Sequence, residues 1–138
     1  MQIMVVDGQG GGIGKTVIEQ LRTKLGDEIE IWAFGTNALA TSAMLKAGAN
    51  EGATGENAIV WNAAKVDIII GSIAIIAANS MLGELTPLMA SAIAQSPAKK
   101  VLIPLNRCQI YVMGASSEPL PHYVSDVVDF VKNSINKR

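Results

Sequence analysis

The sequence predicts a three-layer α/β/α domain on a mainly parallel sheet, and three observations carry that prediction. Short apolar runs, at residues 3–6 and, broken only by Asp67, at 66–70, have the pattern of strands buried on both faces, and residues 100–105 read as a further strand. Between them lie stretches whose apolar residues share one helical face, and the junctions carry helix caps and glycine stops. Strands alternating with helices in this way imply a parallel sheet covered on both faces by right-handed crossovers.

The elements follow in order. Residues 3–6 form a central parallel strand ended by Asp7 and Gly8, and five glycines lie between Gly8 and Gly14. Ile13, Val17, Leu21 and Leu25 then recur at intervals of four, a helical face that Gly26 stops. Residues 30–34 read as the second strand, Thr36 or Asn37 caps a helix over 38–47, and Gly48 ends it. Residues 50–55 hold at most a short strand, and Thr54 can cap a helix through Ala64 before the strand at 66–70.

Residues 72–82 are apolar nearly all round as a helix, with Ile73, Ile76, Ala77, Ser80 and Met81 on one side and Ile75 and Ala78 on another, so this helix is expected to be buried. Ser72, Asn79, Ser80 and Glu84 interrupt the segment with groups that need partners from backbone, ligand or another subunit. Thr86 before Pro87 opens a helix to Gln95, residues 100–105 are the next strand, and 109–113 can form a last one. Pro119 and Pro121 introduce an amphipathic helix in which Val124, Val127, Val128, Val131 and Ile135 share a face. Without repeat or linker, residues 1–138 are expected to make a single domain.

Composition excludes several function classes. Lys plus Arg is 11 and Asp plus Glu 12, for a net charge of −1, and no stretch is basic enough to neutralise a row of phosphates, so a nucleic-acid partner is not expected. The hydrophobic fraction of 49% against 17% charged suits a packed chain and points to a homo-oligomer. With one cysteine, Cys108, and one histidine, His122, neither an intramolecular disulfide nor a usual zinc set can be built, which fits a reducing cytoplasm. The N-terminus lacks a basic leader, and the longest apolar run, 68–78, is too short to span a bilayer, so a soluble cytoplasmic protein with no membrane partner is expected.

In parallel sheets ligands sit beyond the carboxyl ends of the strands, which places the turn from Asp7 to Lys15 at a helix N-terminus with its free N–H groups turned outward. Phosphate is the natural ligand there, and Gly10, Gly11 and Gly12 are the expected cradle. The alternative is a tight strand-to-helix turn with no ligand. Lys15 either contacts a phosphate or is solvated, and Asp7 binds a metal, a sugar hydroxyl or the loop's own N–H groups, the last being preferred.

Templates narrow the ligand. The fingerprint GxGxxG fails from Gly8, which puts Ile13 in the third place, and from Gly10, which puts Lys15 there. The P-loop pattern ends well in Gly14, Lys15 and Thr16, but Gln9 stands where its first glycine belongs, so the loop is one residue too long. The spacing GxxxGxG is met by Gly8, Gly12 and Gly14. Here the sequence resembles the short-chain dehydrogenase/reductase family, with Lys15 in the place of its following basic residue. VDIIIGSIA over residues 66–74 looks like that family's fourth strand and loop, with Gly71 and Ser72 replacing its paired asparagines.

That resemblance covers roughly residues 1–106. It implies a Rossmann-like domain holding an NAD(P)-type dinucleotide, or another nucleotide, over Asp7, Gly8, Gln9, Gly10, Gly11, Gly12, Ile13, Gly14 and Lys15, with Gly71 and Ser72 nearby. Neither Tyr111 nor Tyr123 has Lys four residues on, so the family's catalytic pair is absent. The second strand's end, Gly35, Thr36 and Asn37, lacks the acid that binds a ribose 2′-hydroxyl, although Thr36 and Asn37 can hydrogen-bond a sugar. Cys108 and His122 invite a nucleophile and base reading but imply no third orienting group, so no catalytic residue is assigned and no metal site is expected.

As a whole the chain is similar to a small prokaryotic family, the domain of unknown function 3842, through DGQGGGIGK, GTNALATSAMLKAGA, GATGENAI and ANSMLGE. That resemblance implies a small single-domain protein and no particular activity. Three functions stay open at this point: a nucleotide-binding Rossmann-like protein, an ATP-binding protein with a lengthened P-loop, and a non-enzymatic oligomeric assembly or regulatory protein.

Overall fold

The computed structural model describes residues 1–105 and 108–137. Five strands, β1 (Gln2–Asp7), β2 (Glu30–Gly35), β3 (Glu51–Thr54), β4 (Ile68–Ser72) and β5 (Lys99–Ile103), form one all-parallel sheet in the order β3-β2-β1-β4-β5. Ile3 pairs with Ile31 on one side and Ile68 on the other, and Val5 with Ala33 and Ile70, so the central strands are wholly apolar at matched heights. This is the α/β class read from the sequence.

Four helices connect the strands, α1 (Gly12–Leu25), α2 (Ala38–Lys46), α3 (Glu56–Asn62) and α4 (Pro87–Gln95), and a fifth, α5 (Leu120–Asn136), follows β5. Ile3, Val5, Ile31 and Ile70 face α1, α2 and α5 through Val17, Leu21, Met44, Val124 and Val131. Met4, Val6, Phe34 and Ile69 face α3 and α4 through Ile59, Met89 and Ile93. Alternate residues of β1 thus fill two separate cores, which is why its apolar run is continuous. The chain changes face between β3 and β4, where strand order reverses, as right-handed crossovers require.

Local signals set the helix ends. Asn37 accepts the Ala40 N–H at 2.9 Å, and Thr86 accepts the Met89 N–H at 3.2 Å ahead of Pro87. Thr54 does not cap α3. Gly55, at φ 100°, holds that position, and the Thr54 hydroxyl meets that of Thr41 at 2.8 Å. β4 begins two residues later than the apolar run, and β5 ends two residues before Leu105.

Two expected elements do not form. Residues 72–82 give a single 3₁₀ turn, Ile73–Ile76, after which Asn79, Met81, Leu82 and Gly83 take left-handed φ values and Leu82 is 99% exposed. Buried Ile75 and Leu85 anchor the segment's two ends, while the Ser80 hydroxyl donates to the Ala74 carbonyl at 2.6 Å and the Asn79 N–H to the Leu85 carbonyl at 2.8 Å. The Ser80 side chain competes with the helical ladder in this way, and apolar content without period does not specify a helix. Residues 109–113 form no strand: Gln109 turns the chain at φ 58°, and Tyr111 and Met113 stand in solvent. No helix of the described residues is long and apolar enough to cross a membrane.

Candidate functional site

The sheet's switch point lies between β1 and β4, whose carboxyl ends are Asp7 and Ser72. A crevice opens outside a parallel sheet at such a point because the connections leave in opposite directions. A cavity of about 360 Å³ sits there, walled by residues 7–13, by Ser72 and Ala74, by Ser80 and Met81, and by Cys108 and Leu120. A larger groove of about 520 Å³ lies between α1 and α5, away from the strand ends, and Thr16 lines it.

The five glycines of the loop divide into two kinds. A Cβ on Gly8 would stand 2.4 Å from the Met81 sulfur, and one on Gly14 2.4 Å from that of Met44. Gly11 has φ 74°, and its Cβ would meet the Ala40 backbone at 2.9 Å. All three are buried and required by packing or conformation. Gly10 and Gly12 differ: both are exposed, neither has a left-handed φ, and a Cβ on either would meet nothing within 4 Å. Their amides and that of Ile13 take no partner among the described residues, whereas the Gly8, Gln9, Gly11, Gly14 and Lys15 amides are all engaged.

Asp7 shapes the loop from beneath. Its carboxylate, 6% exposed, accepts the Gly8 N–H at 2.8 Å on one oxygen and the Gly14 N–H, in the first turn of α1, at 2.7 Å on the other. A charged acceptor at a helix N-terminus is favourable on both hydrogen-bond and dipole grounds. Of the roles open to Asp7, the structure therefore displays the one in which it binds the loop's own N–H groups.

Beside the loop, Glu84 joins three segments through one atom. Its Oε1 accepts the Thr36 hydroxyl at 2.6 Å, the Gln9 N–H at 2.9 Å and the Asn37 side-chain amide at 2.9 Å. These bonds, Thr36 first, then Gln9 and Asn37, hold the Glu84 carboxyl below the usual carboxylate range against a small opposing effect of burial. Asn37 also donates to the Gln9 carbonyl at 3.0 Å. Thr36 and Asn37, expected to meet a sugar, thus have their side chains committed to Glu84 and the loop.

Among the expected site residues, Asp7, Gly8, Gln9, Gly10, Gly11, Gly12, Ile13 and Ser72 come together at the cavity. Gly14 packs beneath it, and Gly71 lies within the sheet, where a Cβ would meet the Val6 carbonyl at 2.9 Å. Lys15 points to solvent, its side chain 55% exposed and 3.9 Å from Glu19. The Ser72 hydroxyl oxygen accepts the Ala74 N–H at 3.3 Å, capping the 3₁₀ turn. Ser80 stands out in the sequence as a polar group needing a partner and Met81 only as a member of an expected helix, while Cys108 and Leu120 carry no local signal for this site. His122 pairs with Glu118 at 3.0 Å on the surface. Among the described residues no group of three or more His, Cys, Asp or Glu could hold a metal ion.

Comparison with known proteins gives a family and a coarse structural likeness. The model of a family described as a domain of unknown function, DUF3842, matches residues 2–136. No curated protein matches the chain. Among solved structures, a dodecameric FMN-dependent UbiX-like decarboxylase from Escherichia coli O157:H7 aligns at 12% identity over 99% of this chain and 94% of its own, with a TM-score of 0.47.

Proposed function

The chain belongs to the DUF3842 family, and we propose that it binds a nucleotide whose phosphate lies against Gly10, Gly12 and Ile13 at the switch point, an NAD(P)-type dinucleotide being the first ligand to test. The observation that carries this reading is the division of the glycines. Gly8, Gly11 and Gly14 have structural reasons, whereas Gly10 and Gly12 have none, and they keep Cβ atoms away from amides with no partner among the described residues. Such amides at the start of a helix bind an anion through hydrogen bonds and a dipole effect of about 0.3–1 kcal/mol.

In this reading each part of the site has a task. Gly10, Gly12 and Ile13 donate to the phosphate oxygens, Asp7 holds the loop's shape by engaging the Gly8 and Gly14 amides, and Ser72 supplies a hydroxyl from the opposite wall. The P-loop alternative needs Lys15 over the phosphate, and its solvent-facing position paired with Glu19 counts against it. The assembly alternative keeps one observation in its favour, the exposure of Leu82 at the tip of residues 77–85. A homo-oligomer, proposed alongside, is tested by the mass in dilute solution.

Thermal shift against NAD, NADP, AMP, ATP and inorganic phosphate, each with and without magnesium, tests the assignment. Ligand bound to the native state raises the melting temperature by mass action. The expected result is a shift with at least one nucleotide that Gly12→Val and Gly10→Val both abolish and Lys15→Ala leaves in place. A shift lost on Lys15→Ala would restore the P-loop reading, and no shift with any ligand would overturn the phosphate site.

A further inference from the structure

The end of β2 carries no acid, yet a carboxylate stands beside it. Glu84 arrives from the connection between β4 and α4, and its Oε1 would lie 3.1 Å from a Cβ on Gly8, which places the carboxylate over the first glycine of the loop and against Thr36. Oε1 holds three donors, and Oε2 takes none among the described residues. Asn79, Met81 and Leu82 adopt left-handed φ in the segment that delivers it, a conformation that costs such residues energy and that surrounding contacts must maintain.

Resting on the phosphate site proposed above, we infer that Glu84 is a specificity-determining residue for the ligand's sugar: its Oε2 accepts the ribose hydroxyls of a nucleotide whose phosphate lies on Gly10 and Gly12. An ionised carboxylate oxygen accepts hydrogen bonds only, so it suits a diol, the donor that an unmodified ribose presents. A 2′-phosphate would set like charge against it, and a deoxyribose would leave it unsatisfied. Dinucleotide sites of this architecture place the corresponding acid about 20 residues beyond the glycine turn. Here the chain supplies it from 75 residues beyond Gln9, with the Thr36 and Asn37 side chains fixing its orientation.

Calorimetric titration of the wild-type protein with AMP, 2′-deoxy-AMP, 2′,3′-dideoxy-AMP, adenosine 2′,5′-bisphosphate and inorganic phosphate, repeated on Glu84→Gln, tests this. The expected result is that loss of both hydroxyls weakens AMP binding about 10- to 100-fold, as for a hydrogen bond to a charged group, that the bisphosphate binds at least as weakly, and that E84Q binds the four nucleotides within about threefold of one another. Equal binding of AMP and the dideoxy nucleotide by the wild type would overturn the role of Glu84 and leave the phosphate site standing, with Glu84 a tie between loops. Binding of inorganic phosphate without AMP has the same meaning. Failure of every ligand would overturn the phosphate site and this inference together. The wild-type comparison decides the matter even where E84Q does not fold.

Discussion

Alanine at Gly12 and alanine at Gly11 are adjacent, chemically identical substitutions that should move stability in opposite directions. At Gly12 the φ is ordinary, the added Cβ meets nothing within 4 Å, and the position is the first of α1. Alanine there removes unfolded-chain entropy at no native cost and should stabilise by about 0.4–1 kcal/mol. At Gly11 the φ of 74° costs an alanine roughly 1–2 kcal/mol. Its Cβ would also lie 2.9 and 3.0 Å from Cα and O of Ala40, backbone atoms that cannot swing aside, which adds an overpacking cost of about 1–3 kcal/mol.

An unfolding entropy of about 2.1 cal/mol/K per residue makes 1 kcal/mol worth about 3–4 °C in a chain of 138 residues. Gly12→Ala should therefore raise Tm by about 1–4 °C, and Gly11→Ala should lower it by about 7–17 °C. Urea denaturation with a shared m-value and a calorimetric scan both measure this. A loss of more than about 1 kcal/mol in Gly12→Ala, or a shift of both variants in the same direction, would refute the division of the glycines on which the proposed function rests.

Three further outcomes are expected. Asp7→Asn should cost about 1–3 kcal/mol in urea denaturation, because an amide nitrogen replaces one of the two oxygens that accept the Gly8 and Gly14 N–H groups, and a neutral result would remove Asp7 as the organiser of the loop. The Glu84 carboxyl is held low in the folded state, so its contribution is present above the ordinary value near 4.5 and is lost as pH falls through the lower folded value. Stability measured against pH should therefore fall less steeply below about pH 4.5 in Glu84→Gln than in the wild type, and an unchanged acid limb would contradict the three-donor arrangement. Leu82→Ser should change stability by less than about 0.5 kcal/mol, whereas a loss above about 2 kcal/mol would mean that the side chain is covered.

The sequence made the switch-point strand, the glycine loop and the first helix legible because each is coded locally. Residues 3–6 are uninterrupted, Ile13 to Leu25 keep one period, and Asn37 and Thr86 are caps recognisable within a few residues. What stayed hidden depends on distant partners. Spacing selected Gly8, Gly12 and Gly14 as a set, but packing groups Gly8, Gly11 and Gly14, through Met81, Ala40 and Met44. Glu84 lies 75 residues from Gln9 and 48 from Thr36, and its only trace in the sequence is a carboxylate at the end of an apolar segment. The same segment reads as a helix from its composition, which gives burial without conformation. Residues 109–113 form no strand for a related reason, since an apolar stretch becomes a strand only where a neighbouring edge accepts it.

The two hydrogen bonds of Asp7 have a kinetic consequence. A loop whose outline is already fixed by its own carboxylate, with three glycines wedged against Met81, Ala40 and Met44, would need little reordering to take the ligand proposed above. Association should then be set by diffusion and orientation, giving a single exponential whose rate rises linearly with ligand concentration and does not level off. Differences in affinity among related ligands should fall almost wholly in the rate at which they leave.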